Sequence, residues 1–181
     1  MPDEIKIGII GGSGLEDPAF IDDYSTTKVA TPYGDPSSDL IIGKIGDVPV
    51  VIISRHGEGH IINPTNVNYR ANIWSLKEQG CSHLLATTAC GSLREEIKPG
   101  DFVFPDQFID RTTKRTATFY DDSTVQHVPM GTPFCAITSA VLQDQAEKLS
   151  LSFHPTGTVV TIEGPRFSSK AESMIFRSWG C

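Results

Sequence analysis

The chain has 181 residues, 39% of them hydrophobic and 20% charged, which is the balance of a globular chain with one domain as its natural size. A net charge of −7 argues against general nucleic-acid binding, which usually needs a basic surface. No apolar run approaches 18 residues, and Met1-Pro2-Asp3-Glu4-Ile5-Lys6 lacks the basic and apolar regions of a signal peptide; neither a membrane span nor a leader is expected.

The first predicted element is a strand over Ile5–Ile10, β-branched in content and ended by Gly11-Gly12-Ser13-Gly14. That glycine run fits neither nucleotide fingerprint. Asp17 stands where a G-x-G-x-x-G motif needs its third glycine, and no Gly-Lys-Ser/Thr follows. Two readings remain, a plain tight turn or a backbone nest that holds a phosphate with Ser13 Oγ. Next comes a hairpin, Leu40–Ile45 and Val48–Ser54 around Gly46-Asp47. Its second strand is almost wholly apolar, hence central and covered on both faces.

Arg55-His56-Gly57 ends that strand. An arginine there is costly to desolvate unless an anion meets it: either a bound phosphate, with His56 adding a donor, or one of the chain's own acids. His56 and His60 have the i,i+4 spacing of a helical metal pair, but Gly57 and Gly59 between them argue against a helix. The four cysteines, Cys81, Cys90, Cys135 and Cys181, form no C-x-x-C motif, which argues against zinc and for free thiols in a reducing cytosol.

A helix is predicted over Asn68–Gln79, stopped by Gly80. A buried strand, His83–Ala86, then runs into Thr87-Thr88-Ala89-Cys90-Gly91. Hydroxyls and small residues at a strand's carboxyl end suit an anion in an α/β sheet, although an ordinary turn is the alternative. Asp101–Phe104 is a short strand after a Pro99-Gly100 turn. Arg111–Thr132 is polar and aperiodic, so it is a long loop. Helices over Ala136–Leu149 and Ser169–Trp179 flank a strand over Thr156–Ile162. Phe167, just past that strand, is either a core aromatic or a ring that stacks on a flat ligand. Glu163 either accepts from hydroxyls or orders Arg166. Strands alternating with helices mean α/β. If the strands before Ser13, Arg55 and Thr88 are neighbours, their loops converge on one anion site.

Taken together, these words resemble the S-methyl-5′-thioadenosine phosphorylase family, within the trimeric purine nucleoside phosphorylase class. The resemblance rests on Ile7 through Leu15, Ser54-Arg55-His56-Gly57, Asn68 through Trp74, Thr87 through Gly100, Asp106 through Thr112, and Glu163 through Glu172, and runs from Ile5 to Gly180. It implies a twisted mixed central β-sheet flanked by helices, and a single nucleoside phosphorylase-like domain over 1–181. It further implies phosphorolysis of methylthioadenosine to adenine and methylthioribose 1-phosphate, with inorganic phosphate as co-substrate and no cofactor or metal. Ser13, Arg55, His56, Thr88 and Ala89 would hold phosphate, and Cys90, Ile162 and Phe167 would border the nucleoside. His127 would reach a neighbour's site in a homotrimer, in the cytoplasm or nucleus.

Family members continue beyond the counterpart of Cys181 with an Asn-Met-Thr word and an Asp-Tyr-Asp word that contact phosphate and purine. The chain is therefore expected to be a fragment, a shortened isoform, or one part of a two-chain site. Missing strands would leave a sheet edge and apolar helix faces exposed, with little activity for the chain alone. A phosphate-binding or interaction subunit, and a methylthioinosine or general purine nucleoside phosphorylase, are the alternatives.

Overall fold

The computed structural model describes residues 5–12, 18–121 and 124–181. They fall into two compact units, one of residues 1–89 with 115–119 and the other of 90–114 with 120–181.

The first unit is built on a five-stranded mixed sheet in the order β2-β3-β4-β1-β5, where β1 is Ile7–Gly11, β2 Asp22–Thr27, β3 Leu40–Ile45, β4 Val48–Ser54 and β5 His83–Ala86. β3 and β4 form the expected hairpin, pairing Ile45 with Val48. Gly46 supplies the positive φ (58°) that a two-residue turn of this kind needs at its first position. The apolar run of β4 is explained by cover on both faces. Val51 and Ile53 pack with Leu40 and Leu76, while Val50 and Ile52 pack with Ile21 on the opposite face. Leu76 comes from α1 (Tyr69–Glu78), whose N-cap Asn68 accepts a bond from Ala71 N–H.

β5 departs from expectation. It is a strand, but among the described residues it pairs only with β1, and its side chains are mostly exposed; Leu84 is 44% accessible. β2 was illegible as a strand because an exposed edge strand of sequence Asp-Asp-Tyr-Ser-Thr-Thr has no apolar face to alternate.

The second unit contains two parallel pairs, β6 (Phe102–Val103) with β8 (Phe153–His154), and β7 (Gln107–Arg111) with β9 (Thr158–Ile162). Helices α2 (Ala136–Lys148) and α3 (Lys170–Ser178) complete it. Arg111, expected to open the long loop, is instead the last residue of β7. Among the described residues no helix or strand interrupts 112–135. Residues 115–119 of that stretch belong to the first unit. Arg115 lies 5.2 Å above the Tyr69 ring, Phe119 meets Tyr33 edge-on at 5.4 Å, and Arg70 donates to the Thr118 carbonyl. α2 exposes Ile137 and Val141 one turn apart, and α3 exposes Met174 and Ile175. No helix among the described residues is long and apolar enough to cross a membrane.

Candidate functional site

The topology of the first unit does what the sequence required. β4, β1 and β5 are adjacent and parallel, with Gly11 level with Ser54 and Ile10 level with Ala86. Their carboxyl ends therefore open onto one edge, where ligands bind in α/β sheets. Two further backbone bonds carry the ladders into the loops: Arg55 N–H to Gly11 carbonyl at 2.9 Å and Thr87 N–H to Ile10 carbonyl at 3.0 Å.

Arg55 is the centre of this cluster. Its Nη1 donates to the Thr87 carbonyl at 2.7 Å, its Nη2 to Thr88 Oγ1 at 3.4 Å, and its Nε to His56 Nε2 at 3.3 Å. Among the described residues no carboxylate pairs with it, so the salt-bridge alternative is not what the structure holds. A half-buried guanidinium with only neutral acceptors keeps its charge unneutralised, together with the N–H donors those bonds do not use. Thr88 Oγ1 accepts from Arg55, which leaves its hydroxyl hydrogen to donate. Ala89 follows in the same exposed loop. Gly12 is close beneath: a Cβ there would come within 3.0 Å of Arg55 Nη2.

His56 has a defined tautomer. Nδ1 lies 2.9 Å from the Ile62 carbonyl, which can only accept, so Nδ1 carries the proton and Nε2 accepts from Arg55. In this tautomer His56 orients Arg55 through Nε2. His60 stacks on it with ring centroids 4.4 Å apart. The intervening Gly57 and Gly59 have φ of 75° and 69°, and a short 3-10 turn replaces the helix that a metal pair would need. Ser13 lies outside the described residues.

The nucleoside candidates belong to the second unit. Ile162 is the last residue of β9, level with Arg111 at the end of β7. The loops after these parallel strands are joined by Glu163, whose Oε2 accepts from Thr113 N–H at 2.6 Å and Lys114 N–H at 2.9 Å. Of the two alternatives for Glu163, ordering Arg166 falls instead to Glu172, on α3, which grips Arg166 with two bonds of 2.8 Å. Phe167 is 92% exposed, so within the described residues it is not a core aromatic. Cys90 is an exposed free thiol. The segment after it is held to α3, because Arg177 donates to the Leu93 carbonyl and to both Glu95 oxygens at 2.6–2.8 Å. His127 is exposed in the irregular stretch. Among the described residues no group of three or more His, Cys, Asp or Glu is placed to hold a metal ion.

What the sequence could not reveal are the acceptors: the Thr87 and Ile62 carbonyls that orient Arg55 and His56, and the choice of Glu172 over Glu163. Backbone acceptors leave no mark in side-chain identity. Glu172 did carry one signal, its place three residues after Ser169 in a capping box.

Comparison with known proteins identifies the family. Residues 6–181 match the model of the phosphorylase superfamily. The chain is 60% identical to S-methyl-5′-thioadenosine phosphorylase of Danio rerio over 181 residues, covering 97% of this chain and 65% of that protein. It is 59% identical to that of Xenopus tropicalis, with the same shares covered. The chain thus spans about 65% of the length of these curated relatives. Among solved structures, methylthioadenosine phosphorylase from Schistosoma mansoni in apo form superposes with a TM-score of 0.93 at 44% identity, over 98% of this chain and 70% of that one. A mutant of the same enzyme in complex with methylthioadenosine superposes equally well. The chain belongs to the phosphorylase superfamily, on its S-methyl-5′-thioadenosine phosphorylase branch.

Proposed function

We propose that the chain carries the phosphate cradle and part of the nucleoside site of an enzyme that phosphorolyses S-methyl-5′-thioadenosine to adenine and 5-methylthioribose 1-phosphate. The observation that carries this is Arg55, fixed by Thr87, Thr88 and His56 at three parallel strand ends without a carboxylate partner among the described residues. A guanidinium so held fits a tetrahedral anion through its remaining donors, beside the Thr88 hydroxyl. The S. mansoni relative, complexed with methylthioadenosine, supports the nucleoside half.

The chemistry needs no side-chain nucleophile. The glycosidic C1′–N bond of the purine breaks, positive charge builds on the ribose, and a phosphate oxygen forms the new bond to C1′. The departing purine takes the bonding electron pair and is neutralised by a proton. Residues of the cradle act by holding the dianion against the ribose, where it both stabilises the charge and attacks it. Ser13 and the Ala89 backbone would add donors to the phosphate. Cys90, Ile162 and Phe167 would border the nucleoside. His127 would enter the site of a neighbour in a homotrimer, and a metal or organic cofactor has no step to perform.

The test is adenine release from methylthioadenosine with and without phosphate, with methylthioinosine and inosine as competing substrates. Phosphate-dependent release with preference for the 6-amino purine is the expected result. Release that ignores phosphate, or a preference for the 6-oxo purines, would overturn the assignment.

A further inference from the structure

Phe167 presents a ring that almost nothing touches, yet the backbone that carries it is fastened on every side. Only seven residues, 163–169, link the end of β9 to the start of α3. Glu163 ties the beginning of this link to Thr113 and Lys114. Arg166 donates from Nη1 to the Phe167 carbonyl at 3.0 Å, and its fork closes on both oxygens of Glu172. The hydroxyls of Ser168 and Ser173 lie 2.8 Å apart. Ser169 N–H donates to Glu172 Oε2 at 2.7 Å, while Glu172 N–H donates to Ser169 Oγ at 3.2 Å.

Glu172 therefore serves two purposes that chemistry separates. Capping α3 requires an acceptor for Ser169 N–H, which Glu or Gln supplies equally. Gripping the guanidinium of Arg166 requires both carboxylate oxygens. Helix capping leaves the second contact unexplained, and an exposed ion pair adds little to stability. The pair instead fixes the one backbone carbonyl of the residue whose ring lies 92% exposed. Holding that carbonyl fixes the direction in which the Phe167 side chain leaves the backbone, and so the small set of rotamers open to its ring.

We propose that Arg166 and Glu172 are positioning residues, a brace that presents the Phe167 ring to the flat base of a bound nucleoside. This rests on the assignment of Phe167 to the nucleoside site made above. The brace is built within the link and the first turn of α3, so it is complete before ligand arrives. The ordering that stacking would otherwise demand on binding is already made. The low carboxyl pKa of Glu172, about 2, keeps the acceptor ionised at all working pH values.

The experiment measures adenine affinity and phosphate affinity by calorimetry, with the thermal midpoint, for the wild-type chain and for Phe167→Ala, Glu172→Gln, Arg166→Lys and the double variant Phe167→Ala/Glu172→Gln. Phe167→Ala is expected to weaken adenine roughly tenfold to a hundredfold, the range of base–aromatic stacking. Glu172→Gln keeps the cap but loses the grip, and Arg166→Lys keeps the charge but loses the fork. Each should weaken adenine about three- to tenfold while phosphate affinity and the midpoint stay put. In the Phe167→Ala background, Glu172→Gln should add nothing, because the brace then has no ring to place. If Phe167→Ala weakens adenine but neither brace variant does, the brace is wrong and the nucleoside assignment stands. If wild type does not bind adenine, or Phe167→Ala leaves it unchanged, the assignment fails and takes the brace with it. A fall in midpoint with equal losses for adenine and phosphate would show general destabilisation and overturn the proposal.

Discussion

Arg55 and Arg166 both stand just past the carboxyl end of a parallel strand, and they are wired in opposite ways. Arg55 bonds to a carbonyl, a hydroxyl and an imidazole nitrogen, with no carboxylate among its partners in the described residues. Arg166 is closed on both oxygens of Glu172, so its charge is spent within the protein. What each loop exposes differs accordingly. Beside Arg55 lie hydroxyl and amide donors, while beside Arg166 lies a bare phenyl ring. On the proposed function, one residue type at one kind of topological position would thus mark an anion site in the first case and an apolar, ring-accepting site in the second. The presence of a carboxylate partner decides which.

The contrast can be broken most severely at Arg55. Removing its side chain in Arg55→Ala would delete up to two charge-assisted bonds to phosphate, the donors that its three protein bonds leave over. That is worth roughly 3 kcal/mol, or about a hundredfold in phosphate affinity. Arg55→Lys should recover part of this, because a point charge replaces the fork. Phosphate-induced thermal stabilisation reads both; an undiminished shift in Arg55→Ala would place the anion elsewhere. The next largest effect is expected from His56. Replacing it with Phe keeps a flat ring but removes the Nε2 acceptor that orients Arg55 Nε. One lost bond to a charged group is about 1.5 kcal/mol, roughly tenfold in phosphate affinity. Affinity that instead falls only upon mutation of His60 would mean the stacked pair was read the wrong way round.

A milder perturbation comes from beneath. Gly12→Ala places a methyl 3.0 Å from Arg55 Nη2, and the guanidinium is the movable end of a flexible side chain. The fold should tolerate it, while the fork shifts by a few tenths of an ångström. A loss of about threefold in phosphate affinity at unchanged thermal midpoint is the expected outcome. A drop in midpoint without loss of affinity would assign Gly12 to backbone packing.

The sequence made these sites legible to different depths, for physical reasons. The central apolar strand announced itself because both of its faces are covered, so Val50 through Ile53 have no polar side to show. The hairpin, α1 and α3 were legible from Gly46, Asn68, Gly80 and Ser169, residues whose backbone or capping roles few others can fill, whereas α2, whose N-cap Cys135 makes no side-chain capping bond, was legible only from its apolar positions. β2, β7 and β8 were not. β2 is a polar edge, β8 has two residues, and β7 has only Phe108 and Ile109 between polar neighbours. The convergence of Arg55 and Thr88 followed from strand ends alone. The partner of Arg166 did not, because Glu163 and Glu172 are chemically alike and only the start of α3 brings the second within reach.

The smallest effect separates the two units by acid. Two carboxyls of the second unit are held at about 2. Glu172 is lowered from 4.5, first by the Arg166 fork and then by Ser169 N–H. Asp101 is lowered from 3.8, first by the Ser152 hydroxyl, then by Lys98 N–H and by His154, whose Nε2 lies 3.1 Å away. A carboxyl whose folded pKa lies below its unfolded value stabilises the fold fully above the unfolded value. It loses that contribution as pH falls toward the folded one. The window is therefore about pH 4.5 to 2, and the residues that lose support are the start of α3 and the Asp101–His154 contact between the loop before β6 and the end of β8. Each unit has its own tryptophan, Trp74 on α1 and Trp179 at the C-cap of α3, where it lies 5.5 Å from Phe176. In a Trp74→Phe variant, fluorescence from Trp179 should begin to change as pH falls below about 4.5. Adding Glu172→Gln should leave the neutral-pH midpoint nearly unchanged, because the pair is exposed, and remove only the small part of the acid response that this carboxyl supplies, since the amide has no proton to gain. An acid response identical with and without Glu172→Gln would mean that the Arg166–Glu172 grip contributes nothing to holding α3, and that the contrast with Arg55 is one of geometry without energy.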